Sequence, residues 1–302
     1  MFTAFKTHLI NADRSEKTIS GYVRDMSIFA RWFLQTNSED LTPQNLTPSD
    51  IREYRQHLQV QRRNKASTIN RHLAAIRSYA SWAVESGLIE VNPADASRIK
   101  GIKTEKLAPK WLDKKERFAV RREMEKRLQN AKSPKGAYAF QNIRNYAIVM
   151  LLMNTGLRIG ELCDLRLVDI TLTERKGSLA VLQGKGSKHR EVPLNKTARG
   201  ALQEWFELRK KDAVSSEHLF CSSSGKALKP RSVQFVLKDL SEKIGVSVTP
   251  HRLRHTFAKA LIDQGIGIEK VASLLGHASL NTTKVYITPS LNDLENAVEL
   301  LD

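Results

Sequence analysis

The chain has 302 residues, of which 41% are hydrophobic, so it can fill two cores of ordinary size and a disordered chain is excluded. Its 49 Lys and Arg residues against 32 Asp and Glu give a net charge of +17, which predicts a positive surface and a polyanionic partner. No apolar run reaches the roughly 18 residues of a membrane span, and the start MFTAFKTHLI lacks the features of a secretory signal, so we expect a cytoplasmic protein.

Residues 1–96 are predicted to form a helical domain. Ser15 can cap a helix whose apolar residues recur every three or four positions and therefore share one face. These residues are Ile19, Tyr22, Met26, Phe29 and Phe33. A second helix is predicted at Thr47-Pro48-Ser49-Asp50, where a cap, a Pro and an acid combine. A third is predicted from about Ser67 to Glu85, with Gly87 as its stop.

Basic residues follow the second of these helices and lie on the other face of the third. They are Arg62, Arg63, Arg71 and Arg77. Taken singly, each is explained by a solvated helix face. Together with the net charge of +17, they favour a DNA-facing surface.

A basic stretch without apolar periodicity, residues 97–111, is predicted to link two domains. Residues 112–302 then contain helices and one β-hairpin. The hairpin is predicted from strands Ser178–Gln183 and Arg190–Leu194, with a turn over residues 184–189. The expected fold class is therefore mainly α with a small antiparallel β-sheet, in two domains.

Arg158 stands in TGLRIGEL, after an apolar helix, Tyr146–Met153, that Gly156 can end. This order places Arg158 at the start of the next helix, where backbone N–H groups and a guanidinium can face one anion. Glu161 follows three residues later on the same helix. A second cluster is HRLRHTFA, in which His251 and Arg254 share a face in the first turn of a helix.

A metal site is not expected in these clusters. His251 and His255 are four residues apart, but the metalloprotease motif needs Glu directly after the first His, and Arg252 stands there. Cys163 and Cys221 have no paired CxxC spacing, so neither a zinc knuckle nor a disulfide framework is indicated. Both cysteines are expected to be reduced packing residues.

A third cluster joins LLGHAS to TTKVYI. A helix from about Ile268 to Leu275 is predicted to end at Gly276, with His277 next and Tyr286 at the end of the cluster. Most tyrosines serve core packing or a surface hydrogen bond. Tyr286 differs because it follows an exposed polar run.

These motifs together resemble those of the tyrosine recombinases, or phage integrase family, and are most similar to its Xer-type and transposon-borne members. They stand in the family's order, with family-like spacing, over nearly the whole chain. The matching residues are Arg158 in TGLRIGEL, Lys185 in GKGSKHREVPL, His251 and Arg254 in HRLRHTFA, His277 in LLGHAS and Tyr286 in TTKVYI. The resemblance implies a clamp on double-stranded DNA, made of a helical core-binding (SAM-like) domain and a catalytic domain.

The resemblance further implies a site-specific recombinase that cleaves and rejoins DNA through a 3′-phosphotyrosyl intermediate, without metal, ATP or another cofactor. Tyr286 would be the nucleophile. Arg158 and Arg254 would stabilise the negative charge that develops on the phosphorane, and Glu161 would support the site.

Proton transfer is assigned to three further residues by the same resemblance. Lys185 would protonate the leaving 5′-oxygen, with Lys188 as a competing candidate. His251 would act as acid or base toward Tyr286, since an imidazole exchanges protons near neutral pH. His277 would donate a hydrogen bond to the phosphate.

The last residues, 290–302, carry an apolar stripe of Leu291, Leu294, Val298 and Leu301. A terminal helix with such a stripe can pack on its own core, whereas in the family this segment docks into a neighbouring protomer. The resemblance therefore implies a homo-tetramer on two DNA sites, with possible accessory proteins.

Two other functions remain as alternatives. A type IB topoisomerase shares the phosphotyrosine chemistry, and a non-cutting DNA-binding regulator shares the fold. The Xer-like two-domain layout counts against the topoisomerase, and the aligned nucleophile and arginines count against the regulator. Chromosome dimer resolution, transposon cointegrate resolution and integration all remain open as the biological task.

Overall fold

The computed structural model describes residues 2–95, 97, 99–103, 109–132, 138–183, 188–212, 215–277 and 279–286. The chain divides into two compact units between Leu107 and Ala108, a boundary that falls within the stretch 97–111. Helices dominate, with a small antiparallel sheet in the second unit, so the predicted fold class is confirmed.

The first unit is a helical bundle around an aromatic core. Its helices are α1 (Thr3–Asn11), α2 (Glu16–Asn37), α3 (Pro48–Gln56) and α4 (Ala66–Glu85), with a π-helical turn at His57–Gln61 after α3. The predicted caps are confirmed, because the Ser15 hydroxyl accepts from the Thr18 N–H and Thr47 and Asp50 bond reciprocally. The largest buried side chains include Phe5, Phe29, Phe33 and Tyr54.

Two arginines of α4 bind groups inside the first unit. Arg77 donates from Nε to the carbonyl of Ala94 at 2.9 Å and from Nη2 to that of Ile99 at 3.2 Å. Arg71 lies 3.1 Å from the carboxylate of Asp25, which is buried in α2. Arg77 therefore holds the segment after α4 onto the bundle, and Asp25 holds Arg71 in place.

The second unit wraps helices around one buried helix. Its helices are α5 (Lys114–Lys132), α6 (Ala139–Thr155), α7 (Ile159–Asp164), α8 (Lys196–Lys211), α9 (Pro230–Ile244), α10 (Pro250–Asp263) and α11 (Ile268–Leu275). Two short 3-10 turns, Leu280–Thr282 and Lys284–Tyr286, follow α11. Every residue from 146 to 152 of α6 is buried, so this helix forms the middle of the core.

The sheet of the second unit has the strand order β1 (Ile170–Leu172), β2 (Gly177–Gln183), β3 (Lys188–Pro193), all antiparallel. The predicted hairpin is therefore present, but β3 begins at Lys188, two residues before the predicted strand. The turn assignment of Lys188 and His189 was wrong because the pairing continues to Gln183 opposite Lys188. Local turn signals do not reveal how far such pairing extends.

Gly156 ends α6 for two physical reasons. Its φ of +64° lies in the left-handed region, which favours glycine. A Cβ built on it would also lie 2.5 Å from the Phe257 ring and 2.8 Å from the Leu275 side chain. The close approach brings the ends of α6 and α11 together, and the candidate active site lies at this junction.

Arg252, to which the sequence assigns no role, stabilises the start of the second unit. Its guanidinium donates to the carbonyls of Trp111 and Ser247 and forms a 2.6 Å ion pair with Glu116. Cys163 and Cys221 are both buried. Among the described helices, none is long and apolar enough to cross a bilayer. Likewise, the described residues contain no group of three His, Cys, Asp or Glu side chains that could hold a metal ion.

Candidate active site

Arg158 occupies the N-cap of α7, as predicted. Glu161, in the first turn, accepts a 2.8 Å hydrogen bond from the Arg158 backbone N–H and a 2.7 Å bond from its Nη1. The carboxylate therefore fixes both the helix start and the direction of the guanidinium. With 42% of its side chain exposed, Arg158 is accessible to a ligand.

Arg254 projects from the first turn of α10, which Thr249 caps and Pro250 begins. It is only 5% exposed. Its Nη1 donates to the carbonyl of Gly156 at 2.6 Å and its Nη2 to that of Leu275 at 2.7 Å. These two bonds attach α10 to the ends of both α6 and α11.

Three guanidinium groups converge on the C-terminal end of α11. The final carbonyls of a helix have no partner within it and carry partial negative charge, so cations are stabilised there. Successive carbonyls accept from different arginines, in the pairs Leu274 with Arg190 (3.0 Å), Leu275 with Arg254 (2.7 Å) and Gly276 with Arg158 (3.2 Å). The site is a cationic cluster held in place by backbone.

Arg190 is a member of this cluster that sequence reasoning missed. It is paired with Val181 across the hairpin, and its Nη2 lies 2.7 Å from Glu161. Burial alone would raise the pKa of Glu161, but hydrogen bonds from Arg190 and Arg158 lower it overall. One ionised carboxylate is therefore shared by two arginines.

The cluster also affects the pKa of its most buried member. Burial, followed by the charge of Arg158, lowers the pKa of Arg254 to about 10. Arg254 still carries its charge at neutral pH. An anion that enters would relieve the repulsion between these cations, which favours phosphate binding.

His277 follows Gly276 directly, next to the same helix end. Its Nδ1 shares a 2.8 Å hydrogen bond with the hydroxyl of Thr283. Burial, then the charges of Arg254 and Arg158, lower its pKa from 6.5 to about 4. At neutral pH, His277 is therefore a neutral imidazole.

Tyr286 lies in the second 3-10 turn after α11 and is 2% exposed. Its ring packs in a small core with Ala258, Val271 and Leu275. Its hydroxyl lies 2.6 Å from Nδ1 of His255. Burial raises the pKa of Tyr286, while the charge of Arg254 acts in the opposite direction.

His255, rather than His251, is the histidine in contact with Tyr286. His251 is exposed, and its ring centre lies 6.3 Å from that of His255. The sequence contained a signal for His255, because it follows Arg254 directly in HRLRHTFA. Local spacing does not show which of the two imidazoles meets a tyrosine 31 residues further along the chain.

The structure thus brings together Arg158, Glu161, Arg254, His277 and Tyr286 of the predicted site. Lys185 lies outside the described residues, between β2 and β3. The predicted DNA-contacting residues belong to the first unit, where Arg62 and Arg63 are exposed, Arg71 pairs with Asp25 and Arg77 binds backbone carbonyls.

The lowered pKa of His277 predicts how stability depends on pH. Below pH 6.5 the unfolded chain protonates this residue, whereas the folded protein takes up that proton only near pH 4. Stability is therefore complete above pH 6.5 and is lost as the pH falls towards 4. We expect the melting temperature to fall between pH 7 and pH 5, and the His277→Asn variant to show a shallower fall. An equally steep fall in the variant would contradict this prediction.

Comparison with protein families finds two matches. The Phage integrase family profile matches residues 117–292. The profile of the phage integrase N-terminal SAM-like domain matches residues 2–87. The two matches fall in the second and first unit, respectively.

Curated proteins and solved structures give similar results. Tyrosine recombinase XerC of Thermodesulfovibrio yellowstonii is 30% identical over 99% of this chain and 94% of its own length. Tyrosine recombinase XerC of Alcanivorax borkumensis is 35% identical over 93% of this chain and 87% of its own. A crystal structure of XerH site-specific recombinase bound to difH substrate, in a pre-cleavage complex, has a similar fold. It has a TM-score of 0.70 and 22% identity over 94% of this chain and 79% of that one.

Proposed function

Because this chain belongs to the phage integrase family and is a site-specific DNA recombinase, we propose that Tyr286 is the residue that cuts and rejoins its DNA. The supporting observation is the cationic cluster at the end of α11. Arg254 binds the carbonyl of Leu275, and the Tyr286 ring packs in the same small core as the Leu275 side chain. A phosphate bound by the arginines would therefore lie near the nucleophile.

In the proposed step, the Tyr286 oxygen attacks phosphorus and the bond to the 5′-oxygen breaks. A 3′-phosphotyrosyl bond stores the energy of the broken linkage, so rejoining needs no ATP. Arg158 and Arg254 donate to the non-bridging oxygens of the phosphorane. Their guanidinium groups are held by backbone carbonyls, so little reorganisation is needed as charge develops.

The remaining site residues keep the roles that the sequence predicts for them, as proposals. Lys185 protonates the leaving 5′-oxygen. His277 donates to the phosphate from Nε2, which is possible when the Thr283 hydroxyl donates to Nδ1. His251 is the acid or base that the sequence predicts, but it is exposed beside His255, and the Tyr286 hydroxyl contacts His255 instead. Glu161 positions Arg158.

We also propose that the two units clamp double-stranded DNA, with residues 1–96 as the core-binding domain and 112–302 as the catalytic domain. The exposed Arg62 and Arg63, together with Arg71, would bind phosphates through the first unit. Because Arg77 binds two carbonyls of its own unit, its predicted DNA contact has less support than the others. Two buried free thiols are consistent with action in the reducing cytoplasm.

Cleavage in the presence of EDTA tests the proposed chemistry. The substrate is a duplex that the full-length protein enriches from a randomised pool, hereafter the selected site. A series of substrates is made, each with one nick at a different position along one strand. A nick close to the cleavage point lets the short cleaved fragment dissociate, so that the covalent adduct accumulates. We expect the same adduct rate with and without EDTA, because arginines supply the positive charge at the phosphate. Loss of adduct from pre-bound DNA in EDTA would require a metal mechanism instead.

The C-terminal residues 290–302 are proposed to join neighbouring protomers in a tetramer on two DNA sites. A groove of about 710 Å³ in the second unit offers an acceptor. Its apolar lining includes Met150, Met153, Phe257, Leu261 and Phe118, the last of which is 65% exposed. Its basic lining residues are Lys114, Lys115, Arg117 and Arg121.

The composition of residues 290–302 complements this groove. The apolar stripe of the segment could pack against the apolar lining of the groove. The charged residues of the segment are all acidic. They are Asp293, Glu295, Glu299 and Asp302. A segment of this kind would bury its apolar face and pair its carboxylates with the basic lining.

Charge reversal tests this docking. We expect Arg117→Glu combined with Arg121→Glu to retain binding of one duplex but to lose complexes that hold two duplexes in a native gel. Adding Glu295→Lys and Glu299→Lys should restore the two-duplex complexes, because the pairing is rebuilt with opposite signs. If the reversed arginines left pairing of duplexes unchanged, the groove would not be the acceptor.

The two alternative functions are not favoured. Similarity to the XerC recombinases extends over both units, which does not favour a topoisomerase. The clustering of Arg158, Arg254 and Tyr286 does not favour a regulator that only binds DNA. Possible accessory proteins remain a proposal that rests on the resemblance alone.

A further inference from the structure

We propose that His255 is a catalytic residue that takes the proton from Tyr286 during cleavage and returns it during rejoining. This inference rests on the proposed function of Tyr286 as the nucleophile. It concerns a residue outside the set that the motifs predict, and a contact that the motifs assign to His251.

The geometry favours His255 over the other proton carriers. A general base must lie within hydrogen-bond reach of the proton that it removes. His255 Nδ1 lies 2.6 Å from the hydroxyl oxygen of Tyr286, which is within the reach of a general base. His251 is exposed, and its ring centre lies 6.3 Å from that of His255. His277 Nδ1 is bonded to Thr283 instead.

The surroundings of His255 keep it neutral and therefore able to accept a proton. Burial lowers the pKa of His255 below 6.5, and its electrostatic interactions with His251 and Arg254 act in the same direction. The groups that face it are His251 and Arg254 from its own helix, Tyr286 from the 3-10 turn, and His277 through the electrostatic field. With its own proton on Nε2, the neutral imidazole accepts the phenol proton at Nδ1.

Atoms and charge are conserved in the proposed cleavage step. The bond between the Tyr286 oxygen and phosphorus forms, and the bond between phosphorus and the 5′-oxygen breaks. The phenol proton moves to Nδ1 of His255, and the 5′-oxygen receives its proton from the separate acid, for which Lys185 is proposed. In rejoining, the 5′-hydroxyl returns its proton to that acid as its oxygen bonds to phosphorus, the bond from phosphorus to the tyrosine oxygen breaks, and His255 returns the phenol proton to that oxygen.

The neighbouring Arg254 makes this exchange reversible. An imidazolium beside a fixed guanidinium is disfavoured, so His255 does not hold the proton strongly. Transfer becomes favourable only as the phenol oxygen bonds to phosphorus and loses its basicity. A weak base of this kind suits an enzyme whose tyrosine must be both nucleophile and leaving group.

The test compares His255→Asn with His251→Asn in the full-length chain, on the nicked selected site. Asn can place an oxygen near the Nδ1 position and accept the tyrosine hydrogen bond, but it cannot take the proton. We expect His255→Asn to bind DNA normally and to lose about two to four powers of ten in single-turnover cleavage rate. A wild-type rate would overturn the proposal, and a faster rate would show that the contact only restrains Tyr286.

A substrate with sulfur in place of the 5′-bridging oxygen separates the base from the acid. The sulfur leaves without a proton, so this substrate should rescue Lys185→Ala but not His255→Asn. Rescue of His255→Asn would place His255 at the leaving group and overturn the proposal. Wild-type cleavage should also fall at acid pH as His255 is protonated, and the Asn variant should lack that dependence.

Failure of this inference can be distinguished from failure of the proposed function. If His255→Asn cleaves normally while Tyr286→Phe forms no adduct, Tyr286 remains the nucleophile and His255 is not its base. Loss of activity in His251→Asn alone would then support the role predicted for His251. An adduct formed by Tyr286→Phe would instead overturn the proposed function itself.

Discussion

Replacing Tyr286 with Phe should abolish covalent capture of DNA and leave DNA binding intact. The change removes one hydroxyl from a ring that packs in a small apolar core, so the fold and the basic surface are retained. Loss of the hydrogen bond to His255 should cost about 0.5–1.5 kcal/mol of stability. We expect adduct on the nicked selected site with the wild-type protein and none with the variant.

Tyr146→Phe is the matched control for this experiment. Tyr146 is also buried in the second unit, on α6, but is not part of the cluster at the end of α11. It should form adduct at the wild-type rate. Adduct from the Tyr286 variant would mean that another residue attacks the phosphate.

Replacing Arg254 with Lys should slow cleavage by about two to three powers of ten, with a smaller effect on affinity. The guanidinium bridges two carbonyls, on Gly156 and Leu275, and in the proposed mechanism also binds the phosphate. A lysine ammonium is a single point donor and cannot reproduce this planar arrangement. Single-turnover cleavage of pre-bound nicked DNA measures the effect, and Arg158→Ala should show a loss of the same order.

Arg252→Lys provides the control for the arginine experiment. Arg252 stands on the same helix two residues earlier, but its guanidinium binds Trp111, Ser247 and Glu116 rather than the cluster. We expect this variant to melt at a lower temperature and to cleave at nearly the wild-type rate. Equal rate losses in the two lysine variants would indicate damage to the fold and not the loss of a phosphate ligand.

Local features of the structure followed from the sequence because their physics is local. Ser15, Thr47 and Thr249 cap helices where a hydroxyl can accept from a backbone N–H two or three residues ahead. Gly156 and Gly276 end helices because each adopts a positive φ. Arg158 could therefore be placed at a helix start before the fold was known.

Contacts between distant residues were not accessible in the same way. The convergence of Arg190, Arg254 and Arg158 on the end of α11 joins positions up to 118 residues apart in the chain. No spacing rule connects such positions, and only the family resemblance grouped two of the three arginines. Arg190 was missed because an arginine in a strand has no local signature of function.

The basic residues of the first unit show why charge is a weak guide. Arg77 lies on the same helix as Arg71, and both were predicted to face DNA. The structure uses the Arg77 guanidinium to bind the carbonyls of Ala94 and Ile99, which composition does not indicate. The predictions for Lys185 and for residues 290–302 fall outside the described residues and remain predictions.

In the proposed cleavage, Tyr286 becomes joined to the phosphate that remains on the 3′ end of the cut strand. The most direct measurement is peptide mass spectrometry of the adduct trapped on the nicked selected site, with end-labelling of the released strand. We expect the DNA mass on the peptide that contains Tyr286, and a released fragment with a free 5′-hydroxyl that polynucleotide kinase labels without prior phosphatase treatment. Attachment to any other residue, or a released fragment whose 5′ end cannot be labelled because it carries the phosphate, would contradict this mechanism.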